Sequence, residues 1–301
     1  MSDITFLITT LPRNGYSKEL KICLNQVIEL YDNNNIIISD DWSKMPINDN
    51  YNDNIQQEIN SVNKMIKQLS KKSNLYYNKI VKPQLIGARN KDNNVIASWD
   101  LIKTPYVVIL DDDTFLLKKD LIEWSIQQFK ENNNLAVVSE ECGMGDEWNR
   151  EIYSGKFYLE RFSSWFFIIN KKLLDQHNIK FAPQTKKQWI NYLKENAKEC
   201  RERNAMDRDD TGYFYVQIRN HNLDFINLRK KIHYYDLNDE KIENIKNKIV
   251  FNTNGITRLC NYYLHLGHFA RRNLSGKEYN KFLNFVLNKE YNYLNIEDKL
   301  E

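Results

Sequence analysis

Short apolar runs alternate with amphipathic stretches through the first half of the chain. Ile4 to Thr10 is a β-branched apolar run that Pro12 ends, and this is typical of a buried strand. Apolar residues then recur at helical spacing from Ser17 to Tyr31, and Ile36 to Ser39 is a second apolar run. Strand, helix and strand at this spacing predict a parallel βαβ unit.

The same alternation continues beyond this unit. It predicts further helices over 55–69, 95–102 and 119–130 and further strands over 75–80, 106–110 and 135–139. The second half is less regular. There the pattern predicts a hairpin over 152–159, strands over 165–169 and 223–228, and helices over 171–177, 184–204, 213–220 and about the last thirty residues.

No internal repeat and no flexible linker divides the 301 residues. We therefore expect one α/β domain, residues 1–301, with a mostly parallel sheet flanked by helices and a helical C-terminal region. Residues 1–141 form the half of this domain in which strands and helices alternate regularly, and residues 142–301 form the less regular half.

Composition narrows the possible partners and the compartment. The net charge of +3 is too small to indicate a polyanionic partner. The four cysteines lie far apart without a C-x-x-C pair, which predicts neither a zinc site nor a disulfide framework and fits a reducing compartment. We see no signal peptide and no apolar segment long enough to span a membrane, so we expect a cytoplasmic protein.

Three consecutive carboxylates, Asp111, Asp112 and Asp113, follow the most apolar strand directly. Parallel sheets place ligands outside the carboxyl ends of their strands. Carboxylates at such a place can hold a hard divalent cation such as Mg²⁺ or Mn²⁺. The alternative is an acidic loop at the start of the helix over 119–130.

Two more polar clusters follow predicted elements of the same sheet. Asp40 and Asp41 end the second strand, where they can accept hydrogen bonds from a ribose or a base, or form an Asx turn. Arg89 lies in Gly-Ala-Arg-Asn before the helix that precedes the Asp111 cluster, and a planar guanidinium there suits a phosphate group.

Taken in order, these motifs resemble the nucleotide-sugar-binding half of glycosyltransferase family 2, over roughly residues 4–141. That family opens with a strand ending near Thr-Tyr-Asn, which is ITTLPRN here. It continues with Asp-Asp-x-Ser (Asp40, Asp41 and Ser43), Gly-x-Ala-Arg-Asn (GARN) and D-x-D (Asp111 and Asp113). The run GARN…TPYVVILDDDTFL also resembles β-1,4-N-acetylgalactosaminyltransferases. The family's early Tyr is Leu11 here.

The resemblance implies a GT-A fold and a metal-dependent, inverting transfer from a nucleotide sugar, UDP-linked by implication. It implies Asp111 and Asp113 as ligands of Mn²⁺ or Mg²⁺. The implied nucleotide contacts are Thr9, Thr10, Pro12, Arg13, Asp40, Asp41, Arg89, Asp111 and Asp112. The metal would neutralise the charge that develops on the departing nucleoside diphosphate.

The second half is then expected to bind the acceptor, a glycan, glycoprotein or glycolipid, with modified nucleic acid as a variant. Family members carry an acidic pair that opens a helix, and Asp209 and Asp210 are the candidates here. Asp210 is our first choice as general base, with N-capping as the structural alternative. Trp165 is our candidate for stacking on a sugar. His265 lies in YYLHLGHFARR, which we interpret as a helix, and we expect it to be structural.

Two other classes of function remain open at this stage. A nucleotidyltransferase also pairs acidic metal ligands with an α/β sheet, but it usually has a Gly-rich basic loop after the first strand, and LPRNGYSK has one Gly. A non-enzymatic glycan- or nucleotide-binding module on the same fold would not need the acidic pair at Asp209 and Asp210.

Overall fold

Helices and strands alternate along the chain in a computed structural model. It describes residues 3–13, 15–43, 53–71, 74–82, 90–142, 161–182, 187, 191, 211–232, 258–260, 262–266 and 276–289. In chain order the elements are β1 (Ile4–Thr10), α1 (Tyr16–Leu30), β2 (Asn35–Asp41), α2 (Asp53–Leu69), β3 (Leu75–Ile80), α3 (Asn90–Trp99), β4 (Tyr106–Asp111), β5 (Thr114–Leu116), α4 (Asp120–Glu131), β6 (Leu135–Cys142), β7 (Arg161–Asn170), α5 (Lys171–Gln176), α6 (Gly212–Asn220), β8 (Asp224–Asn227), a 3-10 turn (Leu228–Lys230), β9 (Arg258–Leu259), β10 (Tyr263–His265) and α7 (Gly276–Leu287).

Seven strands form one sheet in the order β3-β2-β1-β4-β7-β6-β8. Four of its six neighbouring pairs are parallel, and β7 is antiparallel to both β4 and β6. Because β7 runs against both of its neighbours, β4 and β6 point the same way. The carboxyl ends of β1, β2, β4 and β6 therefore meet at one edge, which we call the ligand edge.

Both faces of the central strands are buried, as expected for a parallel sheet covered by helices on each side. On β1, Phe6 and Ile8 pack with residues of α1 and α4. Leu7, which points to the opposite face, packs with residues of α3, α5 and α6. The continuous apolar runs of β1 and β4 follow from this arrangement, because every position along them lies against a helix layer.

A second, antiparallel sheet of three short strands has the order β5-β10-β9. Its first strand begins directly after Asp113, two residues beyond the end of β4, and its middle strand comes from the second half of the chain. The pairing of His265 with Thr114 brings this distant segment to the ligand edge.

The predicted fold class is confirmed: the chain forms a mostly parallel α/β sheet flanked by helices. The predicted elements from Ile4 to Ser139 are present, and so are those over 165–177 and 213–228. The helix that we predicted around His265 is wrong, because Tyr263–His265 is a strand. Within the described residues of the C-terminal region, a helix spans Gly276–Leu287.

The structure does not test two of the predicted elements. The hairpin over 152–159, and the helix over 184–204 apart from residues 187 and 191, lie outside the described residues. Among the helices that the structure describes, none combines the length and the apolar character needed to cross a membrane.

Candidate functional site

The ligand edge brings together the polar residues that end three parallel strands. In the register of the sheet, Thr10 of β1 lies beside Asp40 of β2, and Thr9 lies beside Asp111 of β4. Thr9 Oγ1 donates a hydrogen bond to Asp111 Oδ1 at 2.7 Å. Sequence motifs that are about 30 and 100 residues apart thus become neighbours, as expected at the carboxyl ends of adjacent parallel strands.

The negative charge of Asp112, the middle carboxylate of the triple-Asp cluster, is compensated by Arg13. Both terminal nitrogens of Arg13 bind the carboxylate of Asp112, each at 2.7 Å, and Thr10 Oγ1 donates to Asp112 as well. Asp112 is buried. A bidentate guanidinium–carboxylate pair is among the strongest side-chain contacts. Asp112 therefore has its counter-charge within the chain.

A second buried carboxylate shares the same guanidinium. Arg13 also binds Glu19, a residue of α1 that is fully buried. Burial by itself lowers the pKa of Arg13, but the charges of Asp112 and Glu19 outweigh it and raise the pKa, so Arg13 stays a cation.

The C-terminal helix joins this network at its far side. Tyr279 of α7 donates from its hydroxyl to Glu19 at 2.8 Å. The same hydroxyl lies 3.2 Å from where a Cβ of Gly15 would stand, and Gly15 has a φ of 83°. This left-handed residue precedes α1, and glycine adopts it without strain. The α7 helix is thereby attached to the start of α1.

The outer two carboxylates of the cluster face a histidine instead. His265 Nε2 lies 3.6 Å from Asp113 Oδ1, and the backbone N–H of Leu266 donates to the carbonyl of Asp113 at 2.9 Å. One ligand atom each from Asp111, Asp113 and His265 lies within 4.8 Å of the other two. Among the residues whose side chains the structure describes, these three form a cluster with the spacing of metal ligands.

The donor set of this cluster suits a divalent cation. Carboxylate oxygens are preferred by Mg²⁺ and Mn²⁺, and an imidazole is a common ligand of softer first-row metals. A set of two carboxylates and one imidazole fits a divalent cation such as Mn²⁺ or Mg²⁺. Asp111 is half-buried while the other two are buried, so the cluster opens toward Asp111.

An aromatic ring lies flat against the histidine. The rings of Trp165 and His265 are stacked, with centroids 4.7 Å apart and an angle of 11° between their planes. Trp165 lies where the β6–β7 register shifts: Ser139 pairs with Phe167, but Glu141 pairs with Phe162. The segment Ser163–Phe166 therefore lies opposite Glu140 alone, which makes the pairing irregular at this point.

A pocket of buried polar atoms lies at the end of β2. Asp40 is fully buried and accepts a hydrogen bond from the Tyr77 hydroxyl at 2.7 Å. Burial raises the pKa of Asp40 to about 6, although the hydrogen bond from Tyr77 favours the charged form. The indole N–H of Trp42 also favours the charged form of Asp40, although the two groups do not meet the geometry of a hydrogen bond.

Other polar atoms in this pocket have no partner among the described residues. They are the second oxygen of Asp40, Oδ2 of Asp41, the indole nitrogen of Trp42 and the hydroxyl of Tyr16, all buried. Buried polar atoms without partners are costly in a folded protein, and they are expected where a ligand completes the hydrogen bonds.

The structure thus gathers Thr9, Thr10, Arg13, Asp40, Asp41, Asp111, Asp112 and Asp113 at the ligand edge. Pro12 is buried in the loop after β1. Arg13 and Asp112, both predicted to contact the nucleotide, are paired with each other. Arg89, Asp209 and Asp210 lie outside the described residues, so their roles stay predictions.

Sequence reasoning missed His265, because we interpreted its segment as a helix. Strands of two or three residues are too short to show an alternating pattern. It also missed Glu19, for which a signal exists. Glu19 falls on the face of α1 that carries Tyr16, Leu20 and Cys23, so a charge at that position indicates a buried ion pair.

The sequence matches no protein-family model and no curated protein. Solved structures show weak similarity. S. aureus TarS residues 1–349 match at 15% identity with a TM-score of 0.36, over 60% of this chain and 50% of that one. The galactosyltransferase LgtC, in complex with donor and acceptor sugar analogs, matches at 11% identity with a TM-score of 0.36, over 65% of both chains.

A CMP:2-keto-3-deoxy-manno-octonic acid synthetase complexed with CTP also matches, at 6% identity with a TM-score of 0.39, over 75% of this chain and 89% of that one. The chain spans half the length of the TarS structure and less than two thirds of LgtC. With TM-scores this low, the matches carry no argument about what the chain does.

Replacement of Arg13 by Met should destabilise the protein strongly. It leaves Asp112 and Glu19 buried without a counter-charge, and loss of one partner of a buried pair typically costs about 3 to 5 kcal/mol. The measurement is the free energy of unfolding in urea. Lys119→Met is the control, because Lys119 pairs with Glu123 at the surface and such pairs contribute about 1 kcal/mol or less. Equal effects of the two substitutions would contradict the buried pair.

Replacement of Asp40 by Asn should stabilise the protein more at pH 7.5 than at pH 4.5. The folded pKa of about 6 lies above 3.8, the ordinary value of an aspartate side chain. The stabilisation that protonated Asp40 provides is therefore complete below pH 3.8 and lost as the pH rises through 6. At about 1.4 kcal/mol per pKa unit, the stabilisation by Asp40→Asn relative to the wild type should be roughly 2 kcal/mol larger at pH 7.5 than at pH 4.5.

Urea unfolding at both pH values measures this difference. The Asp100→Asn substitution, at an exposed position, serves as the control for the loss of one carboxylate. A constant effect of Asp40→Asn would show that the carboxylate is not held in an unfavourable environment.

Proposed function

We propose that the chain is a metal-dependent glycosyltransferase of the GT-A fold that uses a nucleotide sugar, with UDP as the nucleotide and an inverting reaction. The observation that carries the proposal is the cluster of Asp111, Asp113 and His265 at the carboxyl ends of the parallel strands. The motifs of the first half support it, because they follow the order of glycosyltransferase family 2. Residues 1–141 are the nucleotide-sugar half of one domain and 142–301 the acceptor half.

In this proposal Asp111, Asp113 and His265 would hold Mn²⁺ or Mg²⁺, and the bound cation would supply positive charge for the departing nucleoside diphosphate. The chain's own part is to keep the neighbouring Asp112 neutralised through Arg13, so that the local negative charge is concentrated on the two outer carboxylates. Arg89 is the proposed contact to the diphosphate or the base.

The nucleoside is assigned to the pocket at the end of β2. Its unpartnered acceptors on Asp40 and Asp41 match the N–H groups of a base or the hydroxyls of a ribose, and its donors on Trp42 and Tyr16 match carbonyl oxygens. A uracil ring presents one N–H between two carbonyls. The pocket therefore offers both kinds of partner that a uridine nucleotide needs.

The general base is assigned to Asp210, with Asp209 as second choice. Thr211, the next residue in the chain, is buried and donates a hydrogen bond to the carbonyl of Phe162 in β7. Because β7 runs antiparallel to β4, Phe162 lies toward the ligand edge. A carboxylate close to the N-terminus of α6 is stabilised in its charged form and can accept the proton of an acceptor hydroxyl.

A panel of nucleotide sugars tests the proposal. Thermal melting of the purified protein is measured with UDP-, GDP-, dTDP- and CMP-linked sugars, with and without Mn²⁺, and release of the nucleotide is followed for each. We expect stabilisation and slow donor hydrolysis that both require the metal. A nucleotidyltransferase would instead release pyrophosphate from a nucleoside triphosphate, and a binding module would release nothing from any donor.

Replacement of Asp113 by Ala should abolish both metal-dependent donor hydrolysis and sugar transfer. It removes one of the two buried ligands of the cluster, and loss of a metal ligand removes charge stabilisation worth several orders of magnitude in rate. Nucleotide release and Mn²⁺ binding are measured together. Asp100→Ala, at an exposed position away from the cluster, is the matched control and should leave both unchanged. Normal turnover of the Asp113 variant would rule out this site.

Replacement of Asp210 by Asn should leave nucleotide and metal binding intact and reduce transfer by about 10²- to 10⁴-fold, the usual contribution of a general base. UDP affinity is measured by calorimetry, and transfer is measured with the acceptor that the panel identifies. The same substitution at Asp209 tells the two carboxylates apart. If both single variants transfer at the normal rate, the base lies elsewhere in the chain.

A further inference from the structure

Trp165 and the proposed metal ligands share one attachment point, Thr114. This residue follows Asp113 directly and pairs with His265 across the small sheet. Its hydroxyl donates a hydrogen bond to the backbone carbonyl of Trp165 at 3.2 Å. Thr114 therefore contacts all three residues: Asp113 precedes it in the chain, His265 pairs with it across the sheet, and the carbonyl of Trp165 accepts its hydrogen bond.

Stacking on Trp165 restricts the orientation of the His265 ring, which strand pairing alone does not fix. Strand pairing fixes the position of the His265 Cα, but the ring can still rotate about its side-chain bonds. The Trp165 ring lies 4.7 Å from the imidazole at an angle of 11°, which blocks rotation toward that side. Rotation of the imidazole out of this plane would carry Nε2 away from Asp113 Oδ1, its neighbour at 3.6 Å.

The indole acts here through its flat face and not through its N–H. The Trp165 Nε1 atom is buried and has no hydrogen-bond partner among the described residues. A buried indole that makes no polar contact to the protein supplies shape and stacking, which aromatic pairs provide at about 0.5 to 1.5 kcal/mol beyond burial. One face of the ring is already covered by His265.

We infer that Trp165 is a positioning residue: it orients the imidazole of His265 toward Asp111 and Asp113 and so sets the affinity of the site for a divalent cation. This inference rests on the proposed function, since it concerns the same metal site. Stacking of Trp165 on an acceptor sugar, which the sequence predicts, is a separate role and stays a prediction. The two roles differ in a measurable way, because a metal-positioning residue acts before any sugar binds.

Titration with Mn²⁺ in the absence of nucleotide and acceptor tests the inference. Free Mn²⁺ is followed by electron paramagnetic resonance for the wild-type protein and for Trp165→Phe, Trp165→Met and Trp165→Leu. We expect Trp165→Phe to keep the affinity within about threefold. We expect Trp165→Met and Trp165→Leu, which fill space without a flat ring, to weaken Mn²⁺ binding by about tenfold, as loss of a ligand's supporting contact typically does.

Two further variants separate positioning from general stability. Trp124 lies on α4, half-buried against the main core, so Trp124→Leu should lower the melting temperature without changing the affinity for Mn²⁺. His265→Gln sets the affinity that remains when the imidazole ligand is lost. Circular dichroism at the assay temperature identifies the variants that are folded, and Trp165→Met gives the answer if Trp165→Leu does not fold.

Each outcome decides a different claim. Wild-type affinity in the folded Trp165→Met and Trp165→Leu variants would overturn the positioning role. Weak binding by Trp165→Phe, equal to that of Trp165→Leu, would also overturn it, because the indole N–H would then be the important group. Absence of Mn²⁺ binding by the wild-type protein, or unchanged binding by His265→Gln, would remove the metal site itself and with it the proposed function.

Discussion

The ligand edge depends on the neutralisation of one carboxylate. Asp111, Asp112 and Asp113 are adjacent in sequence, and three such charges at the end of a buried strand repel one another strongly. The bidentate contact from Arg13 gives Asp112 an internal partner and leaves the outer two turned toward His265. Without that guanidinium the turn between β4 and β5 would carry one more uncompensated negative charge, next to those of Asp111 and Asp113.

The small sheet is the second requirement, because it joins segments that local structure alone cannot bring together. About 150 residues separate Thr114 from His265, and closing so long a loop costs conformational entropy that short-range contacts do not repay. The stack of Phe166 on Tyr263 and that of Trp165 on His265 contribute to this closure. The site is therefore complete only when the second half of the chain has folded onto the first.

Much of the fold follows from the sequence pattern. The apolar runs of β1 and β4 predict buried parallel strands, and the rule that ligands lie at the carboxyl ends of such strands places Thr9, Asp40 and Asp111 together. The partner of a given carboxylate cannot be predicted in this way. Nothing in the local pattern distinguishes Asp112, which Arg13 binds, from Asp113, which faces His265. Strands as short as β9 and β10 carry no readable period, so their role stays hidden until the long-range pairing is known.

The contact between Gly15 and Tyr279 links the two ends of the described chain, and it has a consequence for related sequences. A side chain at position 15 would be unfavourable for two reasons. The backbone angle is one that glycine adopts freely, and the Cβ would lie 3.2 Å from the phenol oxygen of Tyr279. Changes at the two positions should therefore be coupled during evolution. In homologues, a residue other than glycine at position 15 should be accompanied by a smaller residue at position 279.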